Sequence, residues 1–473
     1  MKYFIFIPFI FLLNSVHPKS HVEEVYKWKK VEFESLPQPE DSYVGPYKYY
    51  APENSDVMGM GYHPASGLMI VILGRLRPGS PATIAAFCAN EYKFGSSPKF
   101  WAFPNFEIQA LRASDFDQRA GRSKKKHKET INYQHYVQYA PSKPIYPIPN
   151  WPTYETATKS PSTGSNFRII SAYQVEIDYK CNRAYFVDVG HLNYFLRGFI
   201  NIQKPSILVY DLPEDGCKTR NFQLIRRVEM PDSVAARNPF GIVYITLDKQ
   251  SSDCDDLYLY INNFDTYTIV YDYKRDDFWH FTGHPSFEPV VAESFYVYED
   301  ALYSQVVEGL MSYALGYADA NGDRTAYYIT GASTAQYEVS TKILKDKSKA
   351  PMNYEEDDFR IMGYRGCFSQ AGKMAVDYTY GVVFYAERQS NRIRCWNMKK
   401  LLNPDNIGVV FDSFFVQYPF SLFIDPEGYL WFNNSRLPIL AFTNMTLDLN
   451  TINNRFFRVK ISDAIRGTVC END

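Results

Sequence analysis

Proton transfer at carbon calls for a base that can lose and regain a proton near neutral pH, which points to a histidine or a carboxylate. Four such residues stand beside strand-like runs of this chain: Asp188, His191, Glu308 and Asp425. Their types suit acid–base work, but their spacing forms no recognisable constellation, and no Ser-His-Asp signature accompanies them. Asp188 and Asp425 sit in turn-like contexts, where a carboxylate ordinarily caps backbone amides. His191 reads as a loop or rim residue. Glu308 precedes Gly309 at the start of a strand, a place from which it could face a central channel. The other reactive side chains are seven cysteines: Cys88, Cys181, Cys217, Cys254, Cys367, Cys395 and Cys470. Their wide spacing does not fit a metal site, and no phosphate-binding glycine loop is present.

The chain start suggests which compartment those cysteines meet. Lys2 is followed by an apolar run from Phe4 to Leu13, broken only by Pro8, and polar residues begin at Asn14. A basic start, a short apolar stretch and a polar exit describe a secretory signal, placed here at residues 1–20. The run is too short to span a bilayer, and no later stretch is apolar enough, so a soluble, secreted, extracellular product is expected, with no membrane contact. Disulfides are the natural state of cysteines in such a chain. An odd count leaves at least one thiol free or paired between chains. With 50 basic and 53 acidic residues the formal net charge is −3, which provides no basic face for phosphates and excludes a nucleic-acid partner. No cofactor is expected.

The elements that must position these residues are strands. Aromatics make up 17% of the 473 residues, with 39 Tyr and 34 Phe, and both types favour strands. Short β-branched or aromatic runs recur at 69–73, 184–189, 206–211, 257–261, 268–272, 326–329, 382–385 and 429–432, separated by turn signals. A theme repeats among them. An aromatic strand is followed by one ending in Tyr-Asp or Cys-Trp-Asn, as in Tyr185 with Tyr210-Asp211, Tyr258 with Tyr271-Asp272, and Phe384 with Cys395-Trp396-Asn397. Several inner strands are expected to follow an Asp-turn-Gly pattern, as in Asp425-Pro426-Glu427-Gly428 ahead of Tyr429-Leu430-Trp431. Repeated four-stranded units that cannot bury both faces alone are the physical basis of a β-propeller. Residues 21–473 are accordingly assigned to one all-β domain. Residues 117–166 break the pattern: a basic run, Arg122 to Lys128, precedes a Tyr/Pro-rich stretch whose prolines exclude central strands. This reads as a surface insertion.

The motifs resemble those of the Yellow / major royal jelly protein family of insects. Tyr26-Lys27-Trp28-Lys29 looks like the family's opening, and Pro78-Gly79-Ser80-Pro81-Ala82-Thr83 like its first-blade motif. Cys181 to Gly190 resembles its most recognisable segment, with Tyr185 in place of the usual Trp. Gly322 to Tyr328, Ser340 to Leu344, Cys395-Trp396-Asn397, Leu430-Trp431-Phe432 and Ile465 to Cys470 also match, in order. Gly74 to Thr83 is most similar to the eggshell-associated branch. The resemblance implies a six-bladed β-propeller closed near the C-terminus, with disulfides Cys181–Cys254 and Cys395–Cys470. It leaves Cys88, Cys217 and Cys367 without an assigned partner, one pair among them being possible.

It also implies three kinds of function. The first is a role in an extracellular coat, eggshell or cuticle, in its formation, hardening or pigmentation, with other coat proteins as partners. The second is binding of a small aromatic or amine ligand in the channel, as in salivary members of the family. There the ligand-binding positions correspond to Phe420, Ser435 and Leu437, where those members carry Thr, Asn and Phe. Phe420 fills space, Ser435 shortens a polar group, and Leu437 lacks a ring face for a cation. The third is dopachrome conversion in melanin synthesis, with Glu308 and His191 as the first candidate catalytic residues. By analogy with other six-bladed propellers, Asn262, Asn263 and Glu308 are the positions that would face a central calcium ion, although they supply too few oxygens for one; no metal is assigned. Of two glycosylation sequons, Asn444-Met445-Thr446 lies in a polar stretch and is the expected acceptor. Asn433-Asn434-Ser435 follows a strand that should be buried, and Asn433 is expected to be bare.

Overall fold

Strands that are apolar on both faces must be covered on both faces, and the chain achieves this by stacking sheets around an axis. The computed structural model describes residues 21–36, 50–111, 167–194, 198–235, 241–299 and 302–472. The expected signal segment and the basic insertion lie outside the described residues. Six four-stranded antiparallel sheets form the blades of a propeller. Blade 1 comprises Val57–His63, Leu68–Leu73, Ile84–Cys88 and Trp101–Ala102. Blade 2 comprises Ala172–Asp178, Arg183–Asp188, Ser206–Asp211 and Leu224–Glu229. Blades 3, 4 and 5 run from Ile242 to Thr282, Leu310 to Tyr364 and Ala371 to Asp412, each in simple up-and-down order.

Blade 6 closes the ring. Its inner three strands, Leu422–Ile424, Tyr429–Asn434 and Asn454–Lys460, come from the end of the chain. Its outermost strand is Glu23–Trp28, which pairs antiparallel with the last of these, Trp28 opposite Asn454 and Glu23 opposite Arg458. Trp28 seals the seam: its ring lies 4.8 Å from Phe456 in blade 6 and 6.0 Å from Phe87 in blade 1. Its Nε1 donates to the Pro98 carbonyl at 2.8 Å.

The first strand of each blade faces the axis, and neighbouring blades share apolar clusters. In five blades the pairing of this inner strand slips near its start, between Val57 and Gly59, Ala172 and Val175, Ile242 and Tyr244, Leu310 and Tyr313, and Ala371 and Met374. Such bulges re-aim side chains and sharpen twist, here at one common end of the channel. The repeated theme read from the sequence falls on the second and third strands of blades 2, 3 and 5. The Asp425–Gly428 turn leads into the strand Tyr429–Asn434, which is the second of its blade, and joins it to the inner strand Leu422–Ile424. The turn chemistry is as expected. The inner strand is only three residues long, too short to show a pattern of its own.

Three disulfides bridge consecutive parts of the ring. Cys181–Cys254 joins blade 2 to blade 3, and Cys395–Cys470 joins blade 5 to the segment that follows blade 6. The third, Cys88–Cys217, joins blade 1 to the short helix Gly216–Thr219 of blade 2. Cys367 is a free, exposed thiol. No helix among the described residues is long and apolar enough to cross a membrane.

Candidate functional site

The channel holds two compartments. One lies where the inner strands begin. Met58, Tyr173, Val243 and Met311 enter it from four blades, and Glu308, Tyr418, Phe420 and Leu437 also line it. Helix Leu437–Phe442, buried at every residue, covers this end. Phe420 and Leu437, two of the three positions aligned with the ligand sites of salivary members, therefore meet Glu308 in one space. That space is about 30 Å³, room for about one water molecule. Ser435 takes no part in the wall. It is buried, and its Oγ donates to Oδ2 of Asp56 at 2.5 Å. Asp56 also accepts from the Arg436 amide and from Asn454. Burial pushes the Asp56 carboxyl up, and the Ser435 and Asn454 bonds oppose that shift.

Glu308 is the one charged side chain that the described residues contribute to this wall. It stands two residues ahead of the inner strand of blade 4, and its Oε2 forms an ion pair with Nη1 of Arg388 at 2.6 Å. Arg388 follows the second strand of blade 5, and its side chain is fully buried. The same Nη1 donates to the Tyr418 hydroxyl at 3.1 Å. Desolvation lowers the affinity of this guanidinium for its proton, but Glu308, Tyr418 and Tyr244 together outweigh it, and the net direction is upward. Burial raises the Tyr418 and Tyr244 phenols, so both stay protonated at neutral pH. The pair needs space. A Cβ added to Gly331 would come within 2.8 Å of both Arg388 Nη2 and Glu308 Cβ, and one on Gly372 within 3.1 Å of Arg388 Nε. Arg388, Tyr418 and Tyr244 went unnoticed in the sequence. The available signal was an Arg directly after the apolar strand Val382–Glu387, a costly place for an unpaired charge.

The other candidates lie elsewhere. Asp188 accepts from the amides of Ile170, Ser171 and Gly190 at 3.0, 2.8 and 3.0 Å, and Asp425 from the Tyr429 amide and the Trp431 indole at 2.9 and 2.7 Å. Both do what turn carboxylates do. Asn262 accepts from Thr268 at 2.8 Å and Asn263 donates to Tyr267 at 2.7 Å, bonds within their own blade. Among the described residues no group of three His, Cys, Asp or Glu is placed to hold a metal ion. Asn444 is exposed, whereas Asn433 is buried, donating to the Val57 and Met58 carbonyls and accepting from the Ser421 amide.

His191 is not a loop or rim residue. It opens the strand His191–Tyr194, is 1% exposed, and its Nδ1 donates to the Val189 carbonyl at 2.9 Å. The polar look of Gly190-His191 hid this, because the imidazole satisfies a local carbonyl while its ring is covered. Burial lowers its pKa from 6.5 to about 4. The unfolded chain thus binds a proton that the folded chain refuses. This part of the stability is complete above pH 6.5 and is lost as pH falls toward the folded value near 4. Lowering the pH from 6.5 to about 5 should cost about 2 kcal/mol through this group. Denaturant titrations at the two pH values should show that loss in the wild type and a clearly smaller one in His191→Phe. Equal losses would mean that other groups carry the acid sensitivity.

The second compartment lies where the inner strands end, and all six contribute to it. It measures about 170 Å³ and contains Glu176, Tyr179, Lys373 and Tyr378. Tyr244 sits between the two spaces, 5.7 Å from the Phe420 ring and 5.4 Å from the Lys373 ammonium.

A family model described as Major royal jelly protein matches residues 170–470. A Yellow-related salivary protein of Phlebotomus orientalis is 36% identical over 311 residues, 64% of this chain and 74% of the relative. Yellow-related salivary protein SP03 of Phlebotomus perniciosus is 34% identical, covering 69% of this chain and 82% of its own. The L-dopachrome tautomerase yellow-f of Drosophila melanogaster is 30% identical, covering 68% and 72%.

Proposed function

Because the chain belongs to the major royal jelly protein family, with Yellow proteins as relatives, we propose that it is a secreted protein of an insect extracellular coat, eggshell or cuticle, that acts there in formation, hardening or pigmentation. One observation carries the choice among the family's roles. The compartment built by Phe420 and Leu437 has about 30 Å³, too little for an amine or a bicyclic quinone. A carrier or an enzyme working at that mouth would need the space that Phe420 and the buried helix Leu437–Phe442 occupy. Three disulfides, each spanning parts of the ring, suit a protein that works outside the cell.

Dopachrome conversion is the second reading. Glu308, a carboxylate at the edge of the filled compartment, favours it, as does the likeness to a relative named for that activity. Purified protein added to dopachrome should leave the rate of absorbance loss equal to that of a heat-denatured control. Antibody labelling should then find the protein within the eggshell or the cuticle. Turnover above the control would replace the coat reading by the enzymatic one. A protein confined to secretory gland fluid would overturn the coat reading in favour of ligand scavenging.

A further inference from the structure

A lysine in a channel-facing strand needs a reason, because an ammonium is costly to bury unless it is paired. Lys373 lies in the inner strand of blade 5, and its side chain is only 8% exposed. Its contacts are long: 3.3 Å to Oε2 of Glu176 and 3.5 Å to the Ile245 carbonyl. Charge-assisted N–H···O bonds run at about 2.7–2.9 Å, and an ammonium has three donors. Lys373 therefore retains capacity for a close anionic acceptor. Glu176, from the inner strand of blade 2, is 31% exposed and borders the same open space. Tyr179 and Tyr378 contribute aromatic surface beside the two charges, and the Tyr378 hydroxyl is tied to the Leu315 carbonyl at 2.9 Å.

We propose that this open mouth binds a free aromatic α-amino acid. A cation and an anion 3.3 Å apart match a ligand whose carboxylate and ammonium stand on one carbon. The ligand carboxylate would take up the donors of Lys373, and its ammonium would lie on Glu176. Its ring would rest against Tyr179 and Tyr378. The volume agrees: a cavity of about 150 Å³ accepts one benzene ring, and this one has about 170 Å³ with an open side for the polar end. The site lies at the opposite end of the channel from Phe420 and Leu437 and does not depend on the space there.

Calorimetric titration of the intact protein tests this with three probes: L-phenylalanine, phenethylamine, which lacks the carboxylate, and hydrocinnamate, which lacks the ammonium. L-phenylalanine should bind, and each truncated probe should bind about tenfold more weakly or worse, since each loses one charged hydrogen bond. Lys373→Met should weaken L-phenylalanine about tenfold and leave phenethylamine unchanged. Glu176→Gln should weaken L-phenylalanine and leave hydrocinnamate unchanged. The probe series on the wild-type protein needs no variant to fold. No heat at millimolar L-phenylalanine, or equal affinity for all three probes, overturns the proposal. L-alanine binding as tightly as L-phenylalanine would overturn its aromatic part. None of these results bears on where the protein is deposited, so the coat reading stands or falls separately.

Discussion

Trp28→Ala should lower the stability of the folded protein by about 3–5 kcal/mol, the range for removing a large buried aromatic side chain. The side chain is 1% exposed and packs against four rings, Tyr26, Phe87, Phe100 and Phe456, at centroid distances of 6.1, 6.0, 5.5 and 4.8 Å. Its indole also satisfies the Pro98 carbonyl. Truncation would open a cavity and strip that carbonyl of its donor, and both costs add. The position makes the loss larger in consequence than in magnitude. Five blades are made from contiguous chain, but blade 6 borrows its outer strand from Glu23–Trp28. Weakening that strand frees one edge of the ring. Denaturant unfolding should show the midpoint shift, and proteolysis should cut the variant first near its N-terminal strand. A loss below about 1 kcal/mol would mean that the seam between blades 6 and 1 holds without Trp28.

The second large effect concerns the charges at the filled compartment. Glu308→Gln should destabilise by about 3–5 kcal/mol, because it removes the carboxylate from a buried guanidinium that cannot shed its proton. The Arg388 side chain has no exposure, and Glu308 lies 2.6 Å from it. Arg388→Met should be costly as well, leaving a carboxylate without its counter-ion in an otherwise uncharged wall. The double variant should be more stable than either single one, since replacing both ions by neutral groups removes the desolvation penalty together with the attraction. Denaturation of all four proteins gives the coupling directly. If the two single losses simply add in the double variant, the ion pair is not what holds these residues together.

How much of this was legible beforehand depends on the distance over which the information acts. The strand at 206–211 needs only its own residues, and the structure places it at Ser206–Asp211. The buried state of Asn433 followed from the strand Tyr429–Asn434 that contains it. The disulfides Cys181–Cys254 and Cys395–Cys470 were implied by family likeness, which carries tertiary information in sequence form. Cys88–Cys217 was not, because 129 residues separate the two cysteines and only the packing of blade 1 on blade 2 brings them together.

The sites obey the same division. Sequence by itself determined eight of the blade strands, the blade repeat and the family. It also put Glu308 at the head of a strand and, through alignment, marked Phe420 and Leu437. Tertiary structure alone decided that these three share a wall, that Ser435 turns away to Asp56, and that Glu308 meets an arginine 80 positions later in the chain. It also decided that Lys373 meets Glu176 across 197 positions. The physical reason is closure. Strand propensity and turn chemistry act over a few residues and are written locally. The channel is bounded by six strands from the whole length of the chain, and its contents exist only once the ring is shut.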